Sequence, residues 1–200
     1  MEIYFVRHGQ TDGNLARRHQ HQDTELNELG QVQVKAVAKK VAELDPTHIV
    51  SSTNYRAVQT AKIIVTECES DLIPETHPAF EEFHRPDWLI GNRYNSFLTI
   101  RYVLRWFYNF GSVGETYDEF LVRILEARKY LESLPEDGRV VVVSHAVFIN
   151  IFLEHICRDK RISLWRAMVR FWNVLTIKNG SMLHLRYIKR ENQCSWEVVE

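Results

Sequence analysis

Cysteine is scarce and scattered: Cys68, Cys157 and Cys194 are the only three in 200 residues, and none belongs to a Cys-x-x-Cys pair. That spacing suggests neither a disulfide framework nor a zinc ribbon, and three unpaired thiols suit a reducing cytosol. An excess of one charge is missing too. Against 25 basic residues stand 26 acidic ones, for a net charge of -1, so no global field draws the chain to nucleic acid or anionic lipid. Any charge selectivity must be local. No apolar run approaches the roughly 18–20 residues that cross a bilayer. Strand-like Glu2–Val6 leads directly into Arg7-His8-Gly9, leaving no basic leader and apolar core of a secretory signal. These absences make the cytoplasm the expected location, with neither nucleic acid nor membrane as a partner. Repeats, low-complexity tracts and Pro/Gly/Ser-rich linkers are absent as well, so one domain is expected over residues 1–200.

What the chain does have is apolar material, 45% of its residues, with 12% aromatic, ample for one large core. Short β-branched runs alternate with longer amphipathic stretches, the pattern of an α/β fold. The expected architecture is a three-layer sandwich with a mostly parallel, mixed central sheet flanked by helices. Ile3–Val6 and Val140–Val143 are continuous apolar runs, as befits strands covered on both faces. His48–Ser52 and Leu72–Glu75 read as further strands. Helices are expected over 28–43 behind an Asn27 cap, over 56–68, over 115–134 and over 147–156. Asn179-Gly180 between Val174–Ile177 and Met182–Tyr187 reads as a hairpin adding antiparallel strands at one edge. Residues 86–114 break the alternation with a dense set of aromatics and read as a helical insertion near the active site. Phe97, Ile100, Leu104 and Phe107 follow helical spacing, which predicts that this stripe packs on the core. The sharper alternative is a lid, with Arg93, Arg101 or Arg105 reaching a substrate.

Ligands of open parallel sheets sit beyond the carboxyl ends of strands, so polar residues there come first. Arg7-His8-Gly9-Gln10-Thr11 follows the first strand, with Asn14 close by. Ser51-Ser52 and then Arg56 follow the second, and Ser144-His145 follows the run 140–143. Two arginines and two histidines can thus meet on one rim. Guanidinium groups match phosphate oxygens bidentately and stay charged, so the rim suggests an anion hole for a phosphoryl group. An imidazole attacks phosphorus only through an unprotonated nitrogen, and neighbouring arginines disfavour the imidazolium. Arg7 and Arg56 would therefore both hold phosphate and keep His8 neutral, while a backbone acceptor fixes its tautomer.

Arg7-His8-Gly9-Gln10-Thr11-x-x-Asn14 resembles the opening signature of the histidine phosphatase superfamily, in its phosphoglycerate mutase-like phosphatase branch. Leu26-Asn27-x-x-Gly30-x-x-Gln33, Ser52-x-x-x-Arg56-Ala57-x-Gln59-Thr60-Ala61 and Val143-Ser144-His145 are similar to its later motifs, in the same order. The resemblance implies a two-step transfer in which His8 attacks phosphorus, the alcohol leaves and water cleaves the phosphohistidine, without metal or cofactor. It implies that Arg7, Arg56 and His145 clamp the oxygens, that Asn14 assists in binding phosphate, and that Glu82 supplies the leaving group's proton, with Glu81 as competitor. Ala146 departs from the family's frequent glycine.

Three readings of function follow from the resemblance: a phosphomonoesterase for a small phosphorylated substrate, a phosphoglycerate mutase-type transferase, or a silent module that binds phosphorylated ligands. Two other clusters have plainer explanations. His19-Gln20-His21-Gln22-Asp23 lacks a ligand set for a metal and reads as an exposed polar loop, and His155 reads as a packed core histidine. Ser144-His145 lacks the Gly-x-Ser-x-Gly elbow of a serine hydrolase. The oligomeric state is open; the aromatics of the insertion suit a lid, a homodimer interface or both.

Overall fold

The computed structural model describes residues 1–110, 114–173, 177–191 and 193–199. Strands β1 (Glu2–Arg7), β2 (His48–Ser51), β3 (Glu75–Thr76), β4 (Arg139–Ser144), β5 (Met182–Tyr187) and β6 (Trp196–Val199) form one sheet in the order β3-β2-β4-β1-β5-β6. The four strands from β3 to β1 run parallel, while β5 is antiparallel to both β1 and β6. Helices α1 (Asp12–Leu15), α2 (Glu28–Glu43), α3 (Tyr55–Glu67), α4 (Phe97–Phe107), α5 (Tyr117–Glu132), α6 (Ala146–His155) and α7 (Leu164–Asn173) lie between and after the strands.

The two continuous apolar runs become the sheet's centre because both faces are covered. Ile3, Phe5, Val140 and Val142 join one core with Phe80, Phe120, Phe148 and Phe152. Tyr4, Val6, Val141 and Val143 join the other, with Val34, Val37, Val41, Ala57 and Ile64 of α2 and α3. Alternate side chains of one strand thus feed two helical layers, which makes the three-layer α/β sandwich. Asn27 caps α2 through a bond from the Gly30 amide at 2.8 Å. Thr116 and Glu119 form a capping box on α5.

Several local expectations shift. The third strand is Glu75–Thr76 instead of 72–75, because its pairing is set by Ser51 at a short sheet edge and not by apolar content. Residues 182–187 pair with β1 and with Trp196–Val199; residues 174–176 of the expected hairpin lie outside the described residues. The insertion's stripe is also redrawn. Phe97, Ile100 and Leu104 are exposed, and only Phe107 of that set is buried; the face that packs carries Thr99, Tyr102 and Trp106. Finally, Cys157 and Cys194 are joined rather than unpaired, since the end of α6 and the approach to β6 bring their Cα atoms to 5.2 Å, and Cys68 remains free. No helix among the described residues is long and apolar enough to cross a membrane.

One close approach fixes the loop after β1. A Cβ on Gly9 would lie 2.5 Å from the Gly30 carbonyl, and one on Gly30 would collide with the Gln10 carbonyl and reach 2.7 Å from its amide. The loop and the start of α2 therefore meet backbone to backbone. Gly30→Ala is expected to lower unfolding stability by about 1–3 kcal/mol, the usual cost of forcing atoms into packed space. Urea denaturation checks this; an unchanged midpoint would mean that the loop is not held by that contact.

Candidate active site

Register brings the site together. Arg7 pairs with Ser144 across β1 and β4, and Ser51 pairs with Val143 across β2 and β4. The next residues along each strand are His8, His145 and Ser52, held in line by His8 N donating to Ser144 O at 3.0 Å and Ser52 N to Val143 O at 2.9 Å. The two imidazole rings stand 5.0 Å apart, centre to centre. Arg56 enters from the first turn of α3, and Arg7 is the last residue of β1. The pairs of arginines and histidines expected on one rim are thus adjacent.

His8 is 3% exposed. Its Nδ1 donates to the Gly9 carbonyl at 2.7 Å, so the tautomer leaves the Nε2 lone pair outward, where Arg56 Nε donates to it at 3.3 Å. Burial, then the charges of Arg56 and Arg7, push the ring's pKa well below 6.5, against the opposing pull of the Gly9 bond. His145 has the same fate for the same first cause, with Arg56, His8, Arg85 and Arg7 adding to it. Its Nε2 meets Ser52 Oγ at 2.8 Å and its Nδ1 is buried without a partner. His145 also caps α6, so the positive end of that helix points into the same space.

Among the described residues, both arginines donate to neutral acceptors. Arg56 donates to His8 Nε2 and, through its NH1 nitrogen, to the His21 carbonyl at 2.9 Å. Burial lowers its pKa to about 10, which leaves it a cation at neutral pH. Arg7 donates to the Ile177 carbonyl, and its Nε is buried without a partner. Asn14 turns Oδ1 toward the scaffold, accepting from Thr11 Oγ1 at 3.0 Å and Asn179 Nδ2 at 3.1 Å.

The two glutamates part company. Glu82 sits against the start of α6: Oε1 accepts from the amides of Phe83 at 3.2 Å and Phe148 at 3.1 Å, and Oε2 from that of Val147 at 3.2 Å. It lines a cleft of about 510 Å³ together with Arg56, Gln20, His21, Asn54 and Arg85. Glu81 instead binds Thr53 Oγ1 and lies 2.5 Å from His84 Nε2. Burial would raise its pKa, but the bonds from His84 and Thr53 and the charges of His84 and Arg123 outweigh that and hold it low.

The profile of the histidine phosphatase superfamily (branch 1) matches residues 3–196. This chain belongs to that superfamily. Among curated relatives, a protein of Photorhabdus laumondii subsp. laumondii named "Probable phosphoglycerate mutase GpmB" is 33% identical over 159 residues, 75% of this chain and 72% of its own. A mycobacterial glucosyl-3-phosphoglycerate phosphatase, solved with VO3, superposes with a TM-score of 0.74 at 26% identity, covering 98% of this chain and 96% of its own. The alpha-ribazole phosphatase of Shigella flexneri shares the fold at 16% identity, with a TM-score of 0.78 over 100% of this chain and 95% of its own.

Within this member of the superfamily, sequence reasoning misjudged or missed several residues. The polar loop 19–23 is not wholly exposed: His19 is buried, with Nε2 3.0 Å from Thr99 Oγ1, while Gln20, His21, Gln22 and Asp23 line the cleft. Burial and the charge of Arg85 lower the His19 pKa to about 3. Arg93, Arg101 and Arg105 are not among the cleft's lining residues, and Arg105 Nε instead donates to Phe110 O at 3.0 Å. Asn179 reaches into the loop after β1, bonding His8 O at 3.0 Å as well as Asn14. Arg85 also lines the cleft. His155 is a packed core histidine, with Nδ1 3.0 Å from Arg158 O and Nε2 3.2 Å from the Tyr117 hydroxyl.

Because the fold holds His145 neutral, the unfolded chain binds the extra proton below the ordinary histidine pKa of 6.5. The stability this provides is intact above that pH and is lost as the pH falls below it. His145→Gln is therefore expected to flatten the acid-side loss of stability by up to about one proton between about pH 6.5 and about pH 5. Urea midpoints of the two chains across that range check it; parallel curves would mean that the ring takes up a proton in the folded state.

Proposed function

We propose that the chain is a metal-independent phosphomonoesterase that hydrolyses a small phosphorylated molecule through a phosphohistidine at His8. The observation that carries the reading is the state of His8: a buried, neutral ring with a fixed tautomer, its Nε2 lone pair beside Arg56 in a hole where, among the described residues, Arg7 and Arg56 have no carboxylate in hydrogen-bond contact. A neutral imidazole nitrogen is a nucleophile, and a hole lined by cations attracts a phosphoryl group.

In the first step, His8 Nε2 forms a bond to phosphorus as the phosphorus–oxygen ester bond breaks. The electron pair goes to the alcohol oxygen, which takes a proton from Glu82. In the second, water attacks phosphorus, returns a proton to the Glu82 carboxylate, and the nitrogen–phosphorus bond breaks to release phosphate and restore the ring. Arg7, Arg56 and His145 hold the three phosphoryl oxygens, and Asn14 contributes its Nδ2, which no described residue engages. Glu82 is favoured over Glu81 because it faces the cleft, whereas Glu81 is bound to Thr53 and His84. The mutase-type name of the Photorhabdus relative supports a second reading, return of phosphate to a bound sugar acid instead of to water. Product analysis separates them.

With excess chelator, wild-type turnover of p-nitrophenyl phosphate is expected to persist, and His8→Ala to lower it by about 10³-fold or more. Activity that survives His8→Ala would remove the reading. Glu82→Gln is expected to cost about 10²–10⁴-fold on alkyl phosphates and much less on p-nitrophenyl phosphate, whose phenolate leaves without a proton. An equal loss on both would assign Glu82 a structural role.

A further inference from the structure

The chain is nearly neutral as a whole, but its charge is unevenly spread. Residues 88–114 hold Arg93, Arg101 and Arg105 and no acidic residue. All three arginines are exposed, and among the described residues none is paired with a carboxylate; Arg105 has only a backbone acceptor, Phe110 O. Surface arginines elsewhere are neutralised, Arg139 by Asp45 at 2.7 Å and Arg161 by Asp118 at 3.2 Å. A bridge between Arg18 and Arg93 brings two more exposed cations, Arg17 and Arg18, toward the start of α4. Asp118, near the other end of α4, is engaged by Asn109 and Arg161.

This cationic segment also carries an uncovered apolar stripe. Helix α4 already serves the core with its opposite face, where the Tyr102 hydroxyl donates to His84 O at 3.3 Å and the Trp106 ring stands 5.5 Å from Phe83 and 5.2 Å from Tyr117. Pointing away from that face, Phe97 is 75% exposed, and Ile100, Leu104 and Tyr108 are about half exposed. Their spacing of three and four residues lines them up along the helix, and Arg101 and Arg105, one turn apart, run beside them. The exposed Phe110 ring continues the stripe 6.0 Å from that of Tyr108. Apolar side chains gathered in one exposed patch mark a contact surface, which scattered ones do not.

We propose that the exposed face of α4 docks the protein on an anionic lipid surface. The stripe enters the boundary between headgroups and acyl chains, and the arginines meet lipid phosphates while their alkyl stems lie along the apolar layer. A helix face with aromatic and aliphatic residues on one stripe, only cations beside it and no acid is complementary to such a surface. A second copy does not suit it: a twofold contact would set arginines against arginines with no carboxylate to answer them. Nor does the stripe form a groove for a peptide, since it projects from one helix and lines no wall of the cleft. Asp87 and Ile90, on either side of the exposed Trp88, do line the cleft, so a docked chain works close to the lipid surface. The proposal is independent of the reaction assigned to His8.

Vesicle flotation of the full chain tests it, with phosphatidylcholine alone against phosphatidylcholine mixed with phosphatidylglycerol. Three arginines at an anionic surface are expected to favour the mixed vesicles by about a hundredfold, a preference that fades as salt is raised. Phe97→Ser with Leu104→Ser, and separately Arg101→Glu with Arg105→Glu, are each expected to lower binding to mixed vesicles by about tenfold or more. Arg139→Glu with Arg190→Glu changes the net charge equally at another place and is expected to retain binding. Unchanged urea midpoints and unchanged p-nitrophenyl phosphate turnover without vesicles show that the α4 variants fold. Equal binding to both vesicles, full binding by either α4 variant, or an equal loss in the charge control overturns the proposal. So does a wild-type dimer in sedimentation that Phe97→Ser with Leu104→Ser returns to monomer, since a second copy would then cover the face.

Discussion

Two guanidinium groups and two imidazoles share one buried corner of this fold with neutral hydrogen-bond acceptors for company. Among the described residues, Arg56 donates to His8 Nε2 and the His21 carbonyl, and Arg7 to the Ile177 carbonyl. Placing positive charge there without a contacting carboxylate is unfavourable for the folded protein, and its consequence is chemical. Protonating either histidine would add a further charge to the same low-dielectric space, so both rings stay neutral. The same positive field is complementary to a dianionic phosphoryl group and to the charge that spreads over its oxygens during transfer.

Everything around the corner serves to hold it against that strain. Parallel register places His8, His145 and Ser52 side by side at the carboxyl ends of three neighbouring strands. Gly9 and Gly30 let the loop after β1 lie directly on the start of α2, so the ring cannot retreat from its neighbours without moving two backbones. The start of α6 fixes Glu82 through the Val147 and Phe148 amides, its own neighbour Phe83 adds a third, and α5 backs its segment through Arg123. Sheet, loop and helix termini thus converge on a rigid constellation, the arrangement that positioning and charge compensation require.

The centre of the fold and of the site was legible in the sequence because both are written in local, unambiguous chemistry. Ile3–Val6 and Val140–Val143 can only be strands covered on both faces, and polar residues immediately after such strands must gather at one rim. The periphery was less legible for physical reasons. Helix α4 carries apolar residues on every side, so helical spacing alone could not choose the face with Tyr102 and Trp106 over the one with Phe97 and Ile100. The two-residue strand β3 is exposed and has no apolar signature. Cys157 and Cys194 meet only because the end of α6 and the approach to β6 do, across 37 residues of chain.

Because His8 is assigned the covalent step, the most direct test is to trap the enzyme during turnover by rapid quenching with a radiolabelled phosphate ester and to map the label. The account predicts an acid-labile, base-stable phosphohistidine on the peptide that contains His8, formed and consumed at rates compatible with turnover. A turning-over enzyme that carries no label, or carries it on a residue other than His8, would contradict it.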